Sequence, residues 1–198
     1  GCLALPPGLG GVGAPEHAVG LFQDVLPLIE RHVRVRDAGH VDQVAQVKDI
    51  GLLVGLRLDY IREDWGRLPA GEAEAIAGQF TPYLAKHLPA GDFIAMLAEE
   101  GDTVMAAAYL IISEKPANPT YPNGITGLIL NVLTYPKYRR RGIATRLIEA
   151  LIEEARKAGA SCLELSATGD GKPLYEKLGF KEARCPGMRL SLPVEGSA

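Results

Sequence analysis

Residues 131–145 read Asn131-Val132-Leu133-Thr134-Tyr135-Pro136-Lys137-Tyr138-Arg139-Arg140-Arg141-Gly142-Ile143-Ala144-Thr145, and their order decides the fold. A strand-like apolar run enters a short loop carrying three arginines. A glycine follows, and then a helix. The first N–H groups of a helix lack internal partners, and the helix dipole adds partial positive charge there. Gly142 lets backbone approach closely and Ala144 adds little bulk. Thr145 offers a hydroxyl in the first turn. The arginine forks match phosphate oxygens, so the segment reads as a diphosphate cradle.

The helix that follows is specified by its period. Ala144, Leu147, Ile148, Leu151, Ile152 and Ala155 make one apolar face, and Gly159 marks a stop. Two other phosphate-binding patterns are missing. There is no G-x-x-x-x-G-K-[ST] and no G-x-G-x-x-G after a strand.

Arg139-x-x-Gly142-x-Ala144 resembles the Arg/Gln-x-x-Gly-x-Gly/Ala signature of the GCN5-related N-acetyltransferases, the GNAT superfamily. Tyr135 to Tyr138 resembles that family's lead-in to the signature. Thirty residues on, Pro173-Leu174-Tyr175-Glu176-Lys177-Leu178-Gly179-Phe180 is similar to its Leu-Tyr-x-x-x-Gly-Phe element. The resemblance covers roughly residues 32 to 192 and is sharp from about 125 to 180.

Composition agrees with a cofactor-using globular domain. The chain has 198 residues, 47% of them hydrophobic, and a net charge of −3. That length fits one domain with a tail. Nothing in that charge suggests an unaided nucleic-acid binder. No apolar run approaches the ~18 residues of a membrane span. Cys2, Cys162 and Cys185 are scattered, with no CxxC, so neither a disulfide framework nor a zinc site is expected. No metal is expected at all, and a reducing cytoplasm is the expected location.

Residues 1–30 differ from the rest. Gly1 to Pro15 is Gly, Leu and Pro rich and reads as a tail, and residues 16–30 read as a short helix. No charged region precedes an apolar core, so a signal peptide is not expected. The domain itself is taken as 31–194. His32 to Arg36 alternates like a strand, and Asp42 to Glu63 reads as a helix weakened by Gly51 and Gly55. A turn at residues 66–69 precedes a helix from Glu72 to His87. Strands follow at 93–98, 104–113, 125–134 and 162–166. Phe180 to Ala183 and Met188 to Leu192 read as a final strand pair.

The resemblance implies a mixed α/β fold. A twisted, mostly antiparallel sheet would have helices on both faces, and a splayed parallel strand pair (128–134 and 162–167) would hold the cofactor. It implies acetyl-CoA as acyl donor and direct transfer to an amine. The pyrophosphate would rest on Arg139, Arg140, Arg141, Gly142, Ile143, Ala144 and Thr145. The pantetheine arm would pair with Val132, Leu133 and Thr134, and the N–H of Val132 would polarise the thioester carbonyl. Tyr175 falls where relatives place a general acid, with a phenol that is protonated at pH 7. Relatives often place an Asn before that tyrosine; here Thr168 is the nearest substitute.

For the acceptor, Glu63, Asp64 and Trp65 stand between the first two helices, and Asn131 lies on the strand that feeds the site. They favour a small-molecule amine over a protein. No nucleic acid or membrane partner is implied, and the chain is expected as a monomer or homodimer. The alternative reading is a coenzyme A-binding regulatory module without turnover.

Overall fold

The computed structural model describes residues 41–185 and 187–192. Five strands form one sheet in the order β1 (Val41–Val44), β2 (Phe93–Glu100), β3 (Thr103–Glu114), β4 (Ile125–Thr134), β5 (Cys162–Leu165). The first three pairings are antiparallel and β4 with β5 is parallel. The helices are α1 (Ile50–Trp65), α2 (Ala70–Ala90), α3 (Ile143–Lys157) and α4 (Lys172–Lys177).

Period-two alternation along the strands splits the core into two faces. On one side Met96, Ala98, Ala106, Ala108, Leu110 and Ile129 meet Leu147, Ile148 and Leu151 of α3. On the other, Phe93, Ala95, Leu97, Ala107 and Tyr109 meet Leu53 and Leu56 of α1 and Phe80 and Leu84 of α2. Leu147, Ile148 and Leu151 are fully buried, each worth about 1.5–3 kcal/mol of burial. The helices therefore sit on both faces, as the resemblance implies.

Several expectations change or fall outside the description. The tail at 1–15, the short helix at 16–30 and the strand at 32–36 all lie outside the described residues. Residues 41–44 form the edge strand β1 and not the start of a helix, because pairing with β2 outweighs local propensity. The chain then turns through Val47–Asp49, where the Gln46 N–H donates to the Asp49 carboxylate at 2.8 Å. Helix α1 runs unbroken through Gly51 and Gly55. Finally, neither 180–183 nor 188–192 is a strand. Met188, Leu190 and Leu192 are 100%, 83% and 75% exposed, so their alternation buries nothing, and an unpaired strand has little to hold it.

Candidate functional site

The site grows from an irregularity in β4. Ala107 pairs with Leu133 and Tyr109 with Leu130, so β4 holds one extra residue across this interval. Asn131 sits in the bulge with φ of 54°, a left-handed value that asparagine tolerates better than most residues. The extra residue reverses the alternation. Ile129 faces α3, yet Val132 also packs on that side and Leu133 packs against α1 and α2. A local kink thus re-aims the last turnings of the strand.

Beyond the bulge, β4 loses its other neighbour. The parallel pairing runs only from Thr126 with Cys162 to Ile129 with Leu165. From Leu130 to Thr134, β4 has β3 on one side and an open edge on the other. The paired part is tight: a Cβ on Gly127 would stand 2.4 Å from Leu163 Cδ2 and 2.8 Å from Leu110 Cδ1. Glycine permits the close approach from which the two strands diverge.

The open edge leads into the cradle. Arg140 and Gly142 both take positive φ, 62° and 73°, and Gly142 begins α3 with no side-chain cap. Alternating left- and right-handed backbone of this kind gathers N–H groups into an anion-binding concavity. The N–H groups of Ile143, Ala144 and Thr145 have no intrahelical acceptors. A Cβ at Gly142 would meet nothing within 4 Å, so the space above the turn is clear. The three arginines do not act alike. Arg139 donates from Nε to the Thr134 carbonyl at 3.0 Å and pairs with Glu63. Arg141 lies over the Tyr138 ring at 5.5 Å. Thr134 Oγ1 and Arg146 Nε are buried without hydrogen-bond partners among the described residues.

The other side of the bulge faces α1. Arg57 Nη1 donates to Asn131 Oδ1 at 3.3 Å, and its guanidinium lies 5.7 Å from the Tyr60 ring centre. Asn131 is 2% exposed and its Nδ2 has no partner among the described residues. Tyr60 and Tyr175 are near enough to interact. Burial and then the Tyr60 phenol raise the Tyr175 pKa above 10. Burial, with Asp64 behind it, raises that of Tyr60. Tyr175 is held in place by an edge-to-face contact with Phe180 at 6.0 Å. Tyr135 donates to Asp59 at 2.6 Å, and burial together with that bond pushes its pKa to about 12.

Asn131 and Val132 thus stand together at the bulge, Tyr175 packs in the same core as Val132, and β4 carries Leu133 and Thr134 along to the cradle. Other expected residues are placed differently. Glu63, Asp64 and Trp65 belong to the last turn of α1 and not to a loop, and Trp65 is 74% exposed. The Glu63 carboxylate is engaged by Arg139. Thr168 Oγ1 accepts from the Gly171 N–H at 3.2 Å, shaping the entry to α4. The sequence reading missed Arg57 and Tyr60. Their i, i+3 spacing puts them on one helix face, but only the fold sets that face against the bulge.

The features present suit a CoA-like ligand: an open strand edge, a glycine turn with clear space, uncapped N–H groups and buried donors without acceptors. Among the described residues there is no His, Cys, Asp and Glu cluster able to hold a metal, and no helix long and apolar enough to cross a membrane.

A mixed sheet with a diverging parallel pair that opens onto an uncapped helix is also the architecture of solved acetyltransferases. The sequence matches the acetyltransferase (GNAT) family over residues 57–180, more than half of the chain. It is similar to a predicted acetyltransferase from Clostridium acetobutylicum whose crystal structure holds acetyl-CoA. That pair is 29% identical with a TM-score of 0.68, covering 77% of this chain and 96% of the other. A GCN5-related N-acetyltransferase from Ralstonia eutropha JMP134 is 28% identical with a TM-score of 0.66, covering 79% and 100%. Among curated proteins, the [ribosomal protein bS18]-alanine N-acetyltransferase of Escherichia coli K12 is 38% identical over 58 residues. That stretch is 28% of this chain and 39% of the relative's length. The chain belongs to the GNAT acetyltransferase family.

Proposed function

We propose that this protein transfers the acetyl group of acetyl-CoA to the primary amine of a small molecule, by direct attack while donor and acceptor are bound together. The observation that carries this reading is the continuity of three features. The open β4 edge beyond the bulge runs on through the loop to the glycine cradle before α3, and the phenol of Tyr175, close to Tyr60, packs in the same core as Val132.

Acetyl-CoA supplies the activated acetyl thioester. Backbone N–H groups from Arg141 to Thr145 hold its phosphates, with Thr134 Oγ1 and Arg146 Nε as further donors. Val132, Leu133 and Thr134 align the pantetheine arm along β4. At the bulge the Val132 N–H stabilises negative charge on the thioester oxygen. Tyr175 gives its proton to the departing thiolate, and its raised pKa keeps that proton available through neutral pH. No carboxylate or imidazole is assigned as the amine's base in this reading; the amine loses its proton to solvent before it attacks.

The test is thiol release with acetyl-CoA and a panel of primary amines. Amine-dependent release with a matching acetylated product supports the reading. Tight CoA binding with no release for any amine would make the protein a binding module and overturn it.

A further inference from the structure

On the basis of the acetyl-transfer reading, we infer that the acceptor is an amine whose skeleton carries a carboxylate, a free amino acid or a close analogue, and that Arg57 binds that carboxylate.

The acceptor side of the bulge is rich in donors and poor in acceptors. Arg57 is half-buried, and its partners among the described residues are the Asn131 carbonyl at 3.3 Å and the Tyr60 ring. Among the described residues no carboxylate pairs with it. The carboxylates nearest in sequence are otherwise engaged, Asp59 by Arg62 at 2.9 Å and by Tyr135, and Glu63 by Arg139. Removing a cation from water is costly unless an anion or hydrogen bonds compensate. One long hydrogen bond does not satisfy five guanidinium donors. The Asn131 amide repeats the pattern: its Nδ2 is buried with no acceptor among the described residues, and a buried donor left unpaired is costly. The phenol of Tyr60, beside Arg57, adds a further hydroxyl donor, and Tyr175 is close enough to Tyr60 to interact with it.

A donor set of this kind calls for a ligand that brings oxygen acceptors and negative charge. A planar carboxylate meets the guanidinium fork on two bonds. A neutral peptide carbonyl would leave the charge uncompensated. Asp64, exposed one turn beyond Tyr60, adds a negative charge at the rim and disfavours dianions such as phosphate esters. Asn131 acts here as a positioning residue. Its carbonyl steers Arg57, and the left-handed bulge fixes where that carbonyl points.

The experiment uses the full chain with acetyl-CoA. The probes are the common amino acids, their carboxamides, the corresponding decarboxylated amines and short peptides with free N termini. The expected result is at least one amino acid turned over with kcat/KM about tenfold or more above its carboxamide and its decarboxylated amine. In Arg57→Met the acid-to-carboxamide ratio falls towards one, and Arg57→Lys restores part of it. Asn131→Asp, which keeps the carbonyl oxygen but adds charge, raises KM for the acid more than it lowers kcat. Equal use of acid, carboxamide and amine by the wild type overturns the inference. So does turnover confined to peptides or simple amines, an equal loss on all substrates in Arg57→Met, or acetyl-CoA binding with no amino acid acetylated. Failure to bind acetyl-CoA in calorimetry would instead sink the acetyl-transfer reading beneath it.

Discussion

Tyr175 concentrates the chemistry in one phenol. Tyr175→Phe keeps the ring and its contact with Phe180 while removing the proton. The variant should keep its affinity for acetyl-CoA and lose ~10²–10⁴ in kcat. Single-turnover kinetics beside calorimetry would check this, and an unchanged kcat would assign the acid elsewhere. Because the pKa of Tyr175 is raised above 10, the wild-type rate should not decline with deprotonation until above pH 10. A loss of kcat between pH 7 and 9 would point to another group. Tyr135 is a structural counterpart. Its pKa rises to about 12 because burial and the bond to Asp59 favour the neutral phenol. That contribution is whole below the unfolded pKa near 10 and disappears as pH climbs through about 12. Tyr135→Phe should cost about 1 kcal/mol in urea unfolding at pH 7, with the difference from wild type shrinking at strongly alkaline pH.

Among elements, the β4–loop–α3 unit joins stability to binding. Gly142 stands at φ 73° with clear space where a Cβ would go. Gly142→Val therefore meets no steric clash within the protein but takes on backbone strain of about 1–2 kcal/mol. Its side chain would fill the volume assigned to phosphate. Circular dichroism should show a folded protein, while titration calorimetry should show CoA binding abolished. Wild-type affinity would refute the cradle. Gly127 is the opposite case. Its added methyl would overlap Leu163 and Leu110, whose tips must move. Gly127→Ala should cost about 1–3 kcal/mol and raise KM for acetyl-CoA by prising β4 from β5 where they diverge. A drop in urea midpoint with KM unchanged would separate packing from the cleft.

At the scale of the folded domain, the described residues pack two cores on one sheet, and β4 contributes to both through Ile129 and Leu133. Ligand held by β4 and the start of α3 binds only the folded chain. Acetyl-CoA at a hundred times its Kd should therefore raise stability by about 2.7 kcal/mol, seen as a higher Tm. Gly142→Val should lose the shift. A shift of equal size in that variant would mean that CoA binds elsewhere. Both faces contribute to the fold. Leu151→Ala beneath α3 and Leu84→Ala beneath α2, each removing a fully buried side chain, should each cost about 2–5 kcal/mol.

Much of this was legible from residues alone. The apolar period from Ala144 to Ala155 determined α3, apolar runs flanked by turn residues marked β2 to β4, and the spacing from Arg139 to Gly142 and on to Tyr175 pointed to the family. Local signals sufficed because each is written in adjacent side chains. Three features were decided only by tertiary structure. Residues 41–44 became a strand because an edge of β2 was free to pair. Residues 188–192 did not, because alternation without burial supplies no driving force. The extra residue at Asn131 carries no signature in a strand of apolar neighbours. Only pairing with β3 shows that one residue is surplus, and only the fold sets Arg57 and Tyr60 of α1 beside it. Period and propensity act between neighbours in the chain, whereas register, burial and the meeting of distant side chains depend on which surfaces the folded chain places in contact.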